Sequence, residues 1–410
     1  MVKILERILI FIMWAVILMS RINDLINKLC PNGVEYKKLS DVVPVNRGSR
    51  LTKSQLTENG IYEVYHGSKD VPLGKYDKYN TSGDTVIVVN TGGIGGVKYL
   101  KDNFWCSDGS FNLGHNEKLN NKYLYHYLSQ YEKYFLSQKR VGGVPTIDRN
   151  VVENVRLPLP PLEVQEEIVQ ILDKFGELEA ELEAELEARK NQYEFWRDQI
   201  FKFENRTDVK WLKLGDIKTD IYRGNGIKRD EVTEAGVPCV RYGEIYTTYN
   251  IWFDKCKSHT SKDVVNKPKT FSNNDLLFAI TGESVEDISK TIAYTGNETC
   301  YAGGDIVVMK HNQNGKYLSY ALSTSDAVKQ KGKGKVKSKV VHSSVPSIEE
   351  IVVPIVSLEE QEEIVRKLDN FYDLVNNLEY GLPAEIELRR KQYEYYRNKL
   401  LSFEEMSVSE

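Results

Sequence analysis

PLEVQEEIVQILDKF at residues 161–175 returns near the other end of the chain as SLEEQEEIVRKLDNF at residues 357–371, an offset of 196. A second pair lies behind the first, because RKNQYEFWRDQIFKFE at 189–204 matches RRKQYEYYRNKLLSFE at 389–404 with an offset of 200. Self-similarity at a long period is the mark of a duplicated structural unit. The second copy therefore has four extra residues between its two matched segments.

The stretches in front of these segments also correspond, though more faintly. The matched pairs are YKKLSDV at 36–42 with WLKLGDI at 211–217, GIYEVYHG at 60–67 with GVPCVRYG at 236–243, SGDTVIVVNTGG at 82–93 with SNNDLLFAITGE at 272–283, KYLYHYLS at 122–129 with KYLSYALS at 316–323, and ENVRLPLPPLE at 153–163 with EEIVVPIVSLE at 349–359. The chain thus has the order globule, helix, globule, helix, which predicts one unit that has been duplicated.

The repeated segments have the pattern of long amphipathic helices. One helix face requires apolar side chains at steps of three and four residues, and they recur in this way at Ile168, Leu172, Phe175, Leu178, Leu182 and Leu186. ELEAELEAELEARK at 177–190 consists of strong helix formers. About 40 residues at about 1.5 Å each give a helix on the order of 60 Å long.

In the second copy, Gly381 and Pro383 predict a break, and Pro383 suits the first turn of a following helix. Two matching apolar stripes of this length can bury each other as a coiled coil. The alternative is that each helix packs on its own globule.

The globules combine strands, turns and short helices. TVIVVN at 85–90, VKYL at 97–100 and DLLFAI at 275–280 have the β-branched, apolar character of buried strands. The tyrosine-rich stretch at 123–135 has the pattern of a helix with an aromatic face. The composition therefore predicts an α+β fold with two mixed α/β domains.

Charge is distributed unevenly along the chain. The net charge is +5 over residues 36–156 and +3 over 211–354, but −8 over 161–204 and −6 over 357–410. A polyanion is attracted to the two basic globules and repelled by the two acidic helical segments.

The apolar run ILIFIMWAVILM at 8–19 is twelve residues long, whereas a membrane span needs about 20. No small-residue cleavage site follows it, so a signal peptide is not indicated. We expect translation to start at Met19, residues 1–18 to be an upstream extension, and the chain to have no membrane partner.

Motifs for catalysis are missing from the sequence. TGGIGG at 91–96 lacks the G-x-G-x-x-G spacing and leads into a strand-like segment, so it predicts a tight turn. G-x-x-x-x-G-K-[ST] and the N-P-P-[YF] tetrapeptide of adenine methyltransferases are absent. The five cysteines are scattered and never spaced C-x-x-C, which fits a reducing cytoplasm and no zinc site. We predict no catalytic and no metal-binding residues.

The globules do offer basic and hydroxylated loops of the kind that contact DNA. Arg and Asn make bidentate contacts with guanine and adenine edges, and lysines more often contact phosphates. The candidate DNA-binding residues are Arg47, Ser49, Arg50, Lys53, His66, Ser68 and Lys69 in the first globule, Arg223, Asn225, Lys228, Arg229, Arg241 and Tyr242 in the second, and Lys333, Lys335 and Lys337 in the lysine-rich segment 329–339.

The paired segments P-L-P-P-L-E-x-Q-E-E-I-V…L-D-x-F and R-x-x-Q-Y-E-[FY]-[WY]-R resemble the conserved helical regions of specificity subunits of type I restriction–modification systems. So do SRINDLINKLCPNGVEYKKL at 20–39 and GLPAEIELRRKQYEYYRNKLLSF at 381–403. The likeness covers residues 19–404, although the globules match only in outline.

The resemblance implies two pseudo-repeated target recognition domains, separated by two long helices that form an antiparallel coiled coil. Each domain would read one half of a split DNA site. The helices would set the spacing and dock two modification subunits. The implied boundaries are 19–160 for the first target recognition domain, 161–205 for the first helical spacer, 206–356 for the second domain, 357–404 for the second spacer and 405–410 for a tail.

The resemblance also implies a chain that has no catalytic activity and binds no cofactor of its own. AdoMet, ATP and Mg²⁺ would belong to the modification subunits and to any restriction subunits. Three alternatives are the recognition part of a type II-like or orphan methyltransferase complex, a coiled-coil scaffold with two accessory β-rich domains, and an enzyme with an unrecognised site. A scaffold predicts DNA binding that is absent or indifferent to sequence, and an enzyme predicts turnover by the isolated chain.

Overall fold

The computed structural model describes residues 17–140, 143–263, 267–285, 287–333, 340–377 and 381–406. The chain packs into two compact units, of which unit 1 comprises Met1–Ala184 and Ala384–Glu410, and unit 2 comprises Glu185–Pro383. Each unit therefore combines one globule with parts of both helical segments. Among the residues described, none of the helices has both the length and the apolar character that crossing a bilayer requires.

Unit 1 begins with a helix, α1, over residues 17–29. The elements that follow are β1 (Tyr36–Lys38), α2 (Leu39–Val42), β2 (Val45–Arg47), β3 (Tyr62–Tyr65), β4 (Gly74–Tyr76), β5 (Thr85–Val89), β6 (Val97–Leu100), β7 (Trp105–Cys106), β8 (Ser110–Leu113), α3 (Asn121–Ser129), α4 (Glu132–Ser137), α5 (Arg149–Glu153), β9 (Arg156–Pro158) and α6 (Leu162–Ile200). The strands form sheets in the orders β2-β8-β5-β6 and β4-β3-β7 and the pair β1-β9. Helix α6 continues into unit 2.

Unit 2 repeats this plan with additional strands. Its elements are β10 (Lys210–Lys213), α7 (Leu214–Ile217), β11 (Lys218–Arg223), β12 (Val232–Thr233), β13 (Val237–Val240), α8 (Tyr242–Thr247), β14 (Trp252–Phe253), β15 (Ser258–Thr260), β16 (Thr270–Phe271), β17 (Leu276–Ala279), β18 (Thr281–Gly282), β19 (Thr291–Tyr294), β20 (Cys300–Ala302), β21 (Ile306–His311), α9 (Gly315–Leu322), α10 (Ser325–Gly332), β22 (Val341–His342), α11 (Val345–Glu349), β23 (Val352–Ile355) and α12 (Leu358–Asn376). The sheets have the orders β11-β21-β17-β19-β14 and β12-β15-β13-β20-β16, with the pairs β10-β23 and β18-β22. The last helix is α13 (Leu382–Leu400).

The strands expected from the apolar runs are present as β5, β6 and β17, and every residue of β5 and β17 is buried. TGGIGG forms the turn between β5 and β6, as predicted. The tyrosine-rich stretch is helical but divides into α3 and α4. The structure confirms the mixed α/β character of both globules.

The duplication extends to individual hydrogen bonds. The fully buried Gln165 accepts the backbone N–H of Asn120 at 2.9 Å and donates its amide to the carbonyl of Pro160 at 2.8 Å. Gln361, also fully buried, accepts the N–H of Asn314 at 2.9 Å in the same way. Each glutamine satisfies buried backbone groups where the globule meets its long helix. Both copies of the repeat therefore have a buried glutamine at the equivalent position.

Within unit 1, α6 packs against α13. The ring of Phe175 lies 6.3 Å from that of Tyr393 and 5.4 Å from that of Tyr396. Further along α6, Glu179 accepts from the guanidinium of Arg390 at 2.6 Å. As the residue numbers increase along α6, the numbers of the residues that they contact in α13 decrease. The two helices therefore run antiparallel in this unit.

Within unit 2, the remainder of α6 packs against α12. Tyr193 contacts Phe371 and Tyr372, with ring centroids 5.8 and 6.1 Å apart. Beyond the end of α6, Arg206 forms an ion pair with Glu360, close to the start of α12, so these helices are antiparallel too. The predicted break in the second segment is confirmed, because α12 ends at Asn376 and α13 begins at Leu382.

Candidate nucleic-acid interface

Each unit carries an Arg–Gly dipeptide at the end of an edge strand. Arg47 is the last residue of β2 and Arg223 the last of β11. A Cβ on Gly48 would lie 2.3 Å from a backbone carbonyl oxygen between β7 and β8. A Cβ on Gly224 would lie 2.2 Å from the carbonyl oxygen that follows β20. Such distances leave room for no side chain, so only glycine allows the two backbones to approach this closely.

The two arginines brace the turn that faces them. The Nε of Arg47 donates to the carbonyl of Asp108 at 3.1 Å. The Nε of Arg223 donates to the carbonyl of Gly304 at 2.6 Å, and its guanidinium also forms an ion pair with Asp305. The same local geometry therefore recurs in both globules, with an arginine held against a turn whose residues line a surface concavity.

In unit 1 this concavity has a volume of about 560 Å³. It is lined by Arg47, Arg50, Leu51, Thr52, Lys53, His66, Leu73, Thr91, Asp108, Gly109, Val144 and Thr146. Arg50 and Lys53 are exposed, and within the described part of the chain neither has an ion-pair partner. The Nδ1 of His66 lies 3.3 Å from the Asp108 carboxylate and 3.2 Å from the hydroxyl of Ser107. Three permanent cations thus face one carboxylate, which suits a polyanion.

In unit 2 the matching concavity has a volume of about 660 Å³. It is lined by Gly226, Ile227, Arg229, Arg241, Tyr242, Gly243, Glu244, Thr247, Gly303, Gly304 and Asp305. Its two lining arginines are balanced by two carboxylates. The structure brings together three of the predicted residues here, Arg229, Arg241 and Tyr242. In unit 1 it brings together four, Arg47, Arg50, Lys53 and His66.

The other candidates of the first globule lie outside the concavity lining and have partners in the chain. The ammonium of Lys69 forms an ion pair with Glu132 at 2.7 Å. The hydroxyl of Ser68 accepts two backbone N–H groups of the turn that follows it. Ser49 uses its carbonyl to accept the indole N–H of Trp105 at 2.8 Å. These interactions fix the loops around the concavity.

Two candidates of the second globule behave in the same way. The amide oxygen of Asn225 accepts the backbone N–H of Lys269 at 2.8 Å. The exposed ammonium of Lys228 lies 3.9 Å from the carboxylate of Glu231. Such a solvent-exposed pair is weak, so Lys228 stays available to a phosphate.

The lysine-rich segment divides into buried and exposed residues. Lys333 is exposed and follows the end of α10, whereas Lys335 and Lys337 lie outside the described residues. Lys331 is buried, and its ammonium nitrogen donates to the carbonyl of Leu322 at 2.8 Å. Its position indicates that not every lysine of this segment faces solvent.

Sequence reasoning missed the polar partners that shape the concavities. Asp108, Thr91 and Thr146 line the first, and none of them was a candidate. The tripeptide R-G-[SN] occurs at 47–49 and again at 223–225, and it could have identified this part of both globules from the sequence. In the part of the chain that the structure describes, no group of three His, Cys, Asp or Glu residues could hold a metal ion.

Comparisons with known proteins place the chain in a family. A family model described as the type I restriction modification DNA specificity domain matches residues 31–188 and 206–388. A Haemophilus influenzae protein whose name places it among type I restriction enzyme specificity subunits is 27% identical, over 90% of this chain and 96% of its own length. The Escherichia coli EcoR124I/EcoR124II specificity subunit is 29% identical, over 60% of this chain and 61% of its own length.

A solved structure supports the fold. It comes from a study of complex assembly and conformational transition in the type I restriction–modification system, and its chain superimposes with a TM-score of 0.62 at 16% identity. The match covers 90% of this chain and 97% of that one. Because the family model matches both duplicated halves, this chain belongs to the family of type I restriction–modification DNA specificity proteins.

Proposed function

We propose that the chain recognises a two-part DNA sequence, one part with each globule, and directs adenine methylation and restriction by partner subunits to that sequence. The observation that carries this proposal is the repeated corner, in which the arginine of an Arg–Gly dipeptide donates to a turn that lines a concavity. Further cations line each concavity, Arg50 and Lys53 in unit 1 and Arg229 and Arg241 in unit 2. Sequence readers of DNA place arginine where it can reach base edges and phosphates.

The first concavity favours DNA through charge. Arg50 and Lys53 are exposed and free to move onto a phosphate or a base. Each phosphate contact releases condensed counterions, so binding weakens steeply with salt. The hydroxyl oxygens of Thr91 and Thr146 line the same surface and add neutral acceptors that can contact a base edge.

The helical segments have a different role in this proposal. In this proposal the helical segments pair as an antiparallel coiled coil that sets the gap between the two half-sites, and their excess of carboxylates repels DNA. Their partners are therefore proteins, namely two modification subunits, with restriction subunits where the system has them. Phe195, Trp196 and Tyr395 are large apolar side chains that remain exposed on these helices, as a docking surface requires.

The chemistry belongs to those partners. AdoMet would bind to the modification subunits, and ATP and Mg²⁺ would serve translocation and cleavage by restriction subunits. The chain would act in the cytoplasm, where it meets the chromosome. The competing scaffold model gives no reason for arginines to border equivalent concavities in both globules.

The test is selection from a random duplex library with the full chain, purified together with the chains that accompany it in the cell. We expect enrichment of two short half-sites at a fixed gap, with affinity that falls steeply as salt rises. Arg50→Gln should weaken binding. Arg21→Gln is the matched control, because Arg21 is exposed, pairs with Glu167 and does not line the concavity. Enrichment of no motif would support the scaffold alternative.

A further inference from the structure

Arg241 is an unusual arginine within the second concavity. Its Nε is buried and has no hydrogen-bond partner among the described residues. The whole side chain is only partly exposed, and it lines the same surface as Tyr242 and Arg229. A buried donor without a partner costs free energy in the unbound protein. The side chain also lines the concavity, so a ligand there that offers acceptors would meet a guanidinium that the described residues leave without an ion pair.

The nearby carboxylates are already engaged elsewhere. One oxygen of Glu244 accepts the backbone N–H of Arg241 at 2.8 Å, and the other accepts the hydroxyl of Ser258. Asp305 is held by the guanidinium of Arg223. The fold therefore holds two carboxylates in the concavity and leaves the Arg241 side chain without either of them.

The ligand must present acceptors, because a guanidinium only donates. Phosphate oxygens and the O6 and N7 atoms of guanine both meet this condition. Glu244 and Asp305 line the same surface as Arg241, so a phosphate placed beside Arg241 would also meet two carboxylates. A base edge is uncharged and carries no such penalty. We propose that Arg241 reads a guanine in the half-site of the second unit. This inference rests on the proposed function.

The first globule differs at the matching position. Alignment of GIYEVYHG with GVPCVRYG places Tyr65 where Arg241 stands. Tyr65 is buried, and its hydroxyl donates to Glu63 at 2.5 Å. A tyrosine with its hydroxyl bonded in this way lacks the paired N–H donors with which an arginine contacts guanine. The contact proposed for Arg241 therefore has no counterpart at the equivalent position of the first unit.

The experiment is the library selection with three variants of the full chain and its accompanying chains. Arg241→Gln should reduce the preference for guanine at one position of one half-site on the order of 10- to 100-fold, and leave the other positions unchanged. Arg241→Lys should also lose most of this preference, because a lysine keeps the charge but lacks the fork. Arg21→Gln is the control and should keep it, because Arg21 is exposed and lies outside both concavities.

Each other outcome has a separate meaning. If Arg241→Gln weakens binding to all sequences alike and lowers the slope of log K against log salt by about one, Arg241 contacts a phosphate and the proposal is wrong. Unchanged base preferences also overturn it. If the wild-type chain enriches no motif, the proposed function itself fails. Should Arg241→Gln not fold, 7-deazaguanine at the assigned position of the wild-type target must weaken binding, and unimpaired binding contradicts the proposal.

Discussion

Gly48 and Gly224 show how single residues decide whether the concavities form. A methyl group at either position would overlap a backbone carbonyl oxygen at 2.3 or 2.2 Å. The neighbouring backbone cannot give way without breaking the pairing of β2 with β8 or of β11 with β21. The glycine therefore lets the arginine before it reach the facing turn.

Gly48→Ala should lower the stability of the chain, on the order of 2–4 kcal/mol, because the overlap is with backbone rather than with a flexible side chain. Gly176→Ala is the matched control, since Gly176 lies inside α6 with nothing within 4 Å of its added Cβ. It should raise stability by about 1 kcal/mol through helix propensity. Urea unfolding midpoints measure both. Equal effects of the two substitutions would contradict the close approach.

Lys331 predicts a pH dependence of stability in unit 2. Burial lowers the pKa of its ammonium from 10.5 to about 7. Between these two pKa values the unfolded chain binds more protons than the folded one, so stability rises with pH across this window. The destabilising effect is fully present below about pH 7. It disappears above the unfolded pKa of 10.5.

From pH 7 to pH 9, the wild type should gain on the order of 1–3 kcal/mol relative to Lys331→Met, which removes the titrating group. Lys329→Met serves as the control, because Lys329 is exposed and should leave the pH dependence as it is. Thermal unfolding across this pH range gives the difference. A parallel pH dependence of wild type and Lys331→Met would show that the lysine is not titrating in the folded state.

At the scale of elements, the three ELEA repeats at 177–188 allow α6 to be lengthened or shortened without changing its composition. Deleting one repeat, residues 181–184, removes about 6 Å of helix, which is close to the rise of two base pairs at about 3.4 Å each. The gap between half-sites should shrink by about one or two base pairs, and the half-sites should stay the same. Inserting a repeat should lengthen the gap. Library selection reads both, and altered half-site bases would refute the spacer role.

Elements with a long, regular pattern could be predicted from the sequence. The steps of three and four residues predicted α6, and Gly381 and Pro383 predicted the break before α13. Short elements could not be predicted, because strands of two residues such as β12 and β14 carry too few side chains for a period to appear. The division of the tyrosine-rich stretch into α3 and α4 was missed for a similar reason, since no Gly or Pro marks it.

At the scale of the whole molecule, the candidate site was predicted only in part. In the sequence, Arg50 and Lys69 are both basic residues in predicted loops. In the structure, Lys69 has a partner in Glu132, which is 63 positions away. Tertiary contacts of this length decide which cations stay free, and a local pattern carries no record of them. The concavities therefore keep some candidates in their lining, such as Arg47 and Arg241, and leave others outside it.

The two-unit organisation predicts that recognition is modular. Replacing residues 211–354 with the equivalent block of a relative should change one half of the recognised sequence and preserve the other, because the first concavity is built from unit 1 alone. Library selection with the hybrid chain measures this. A hybrid that changes both halves would show that the globules do not read DNA independently.

The most direct test of the account is methylome sequencing of cells with and without this chain. We predict that adenine methylation disappears from one two-part motif with a fixed gap when the chain is removed, and returns when the chain is restored. A methylome that is identical in both strains, or a lost motif that is one continuous sequence, would contradict recognition by two separate globules.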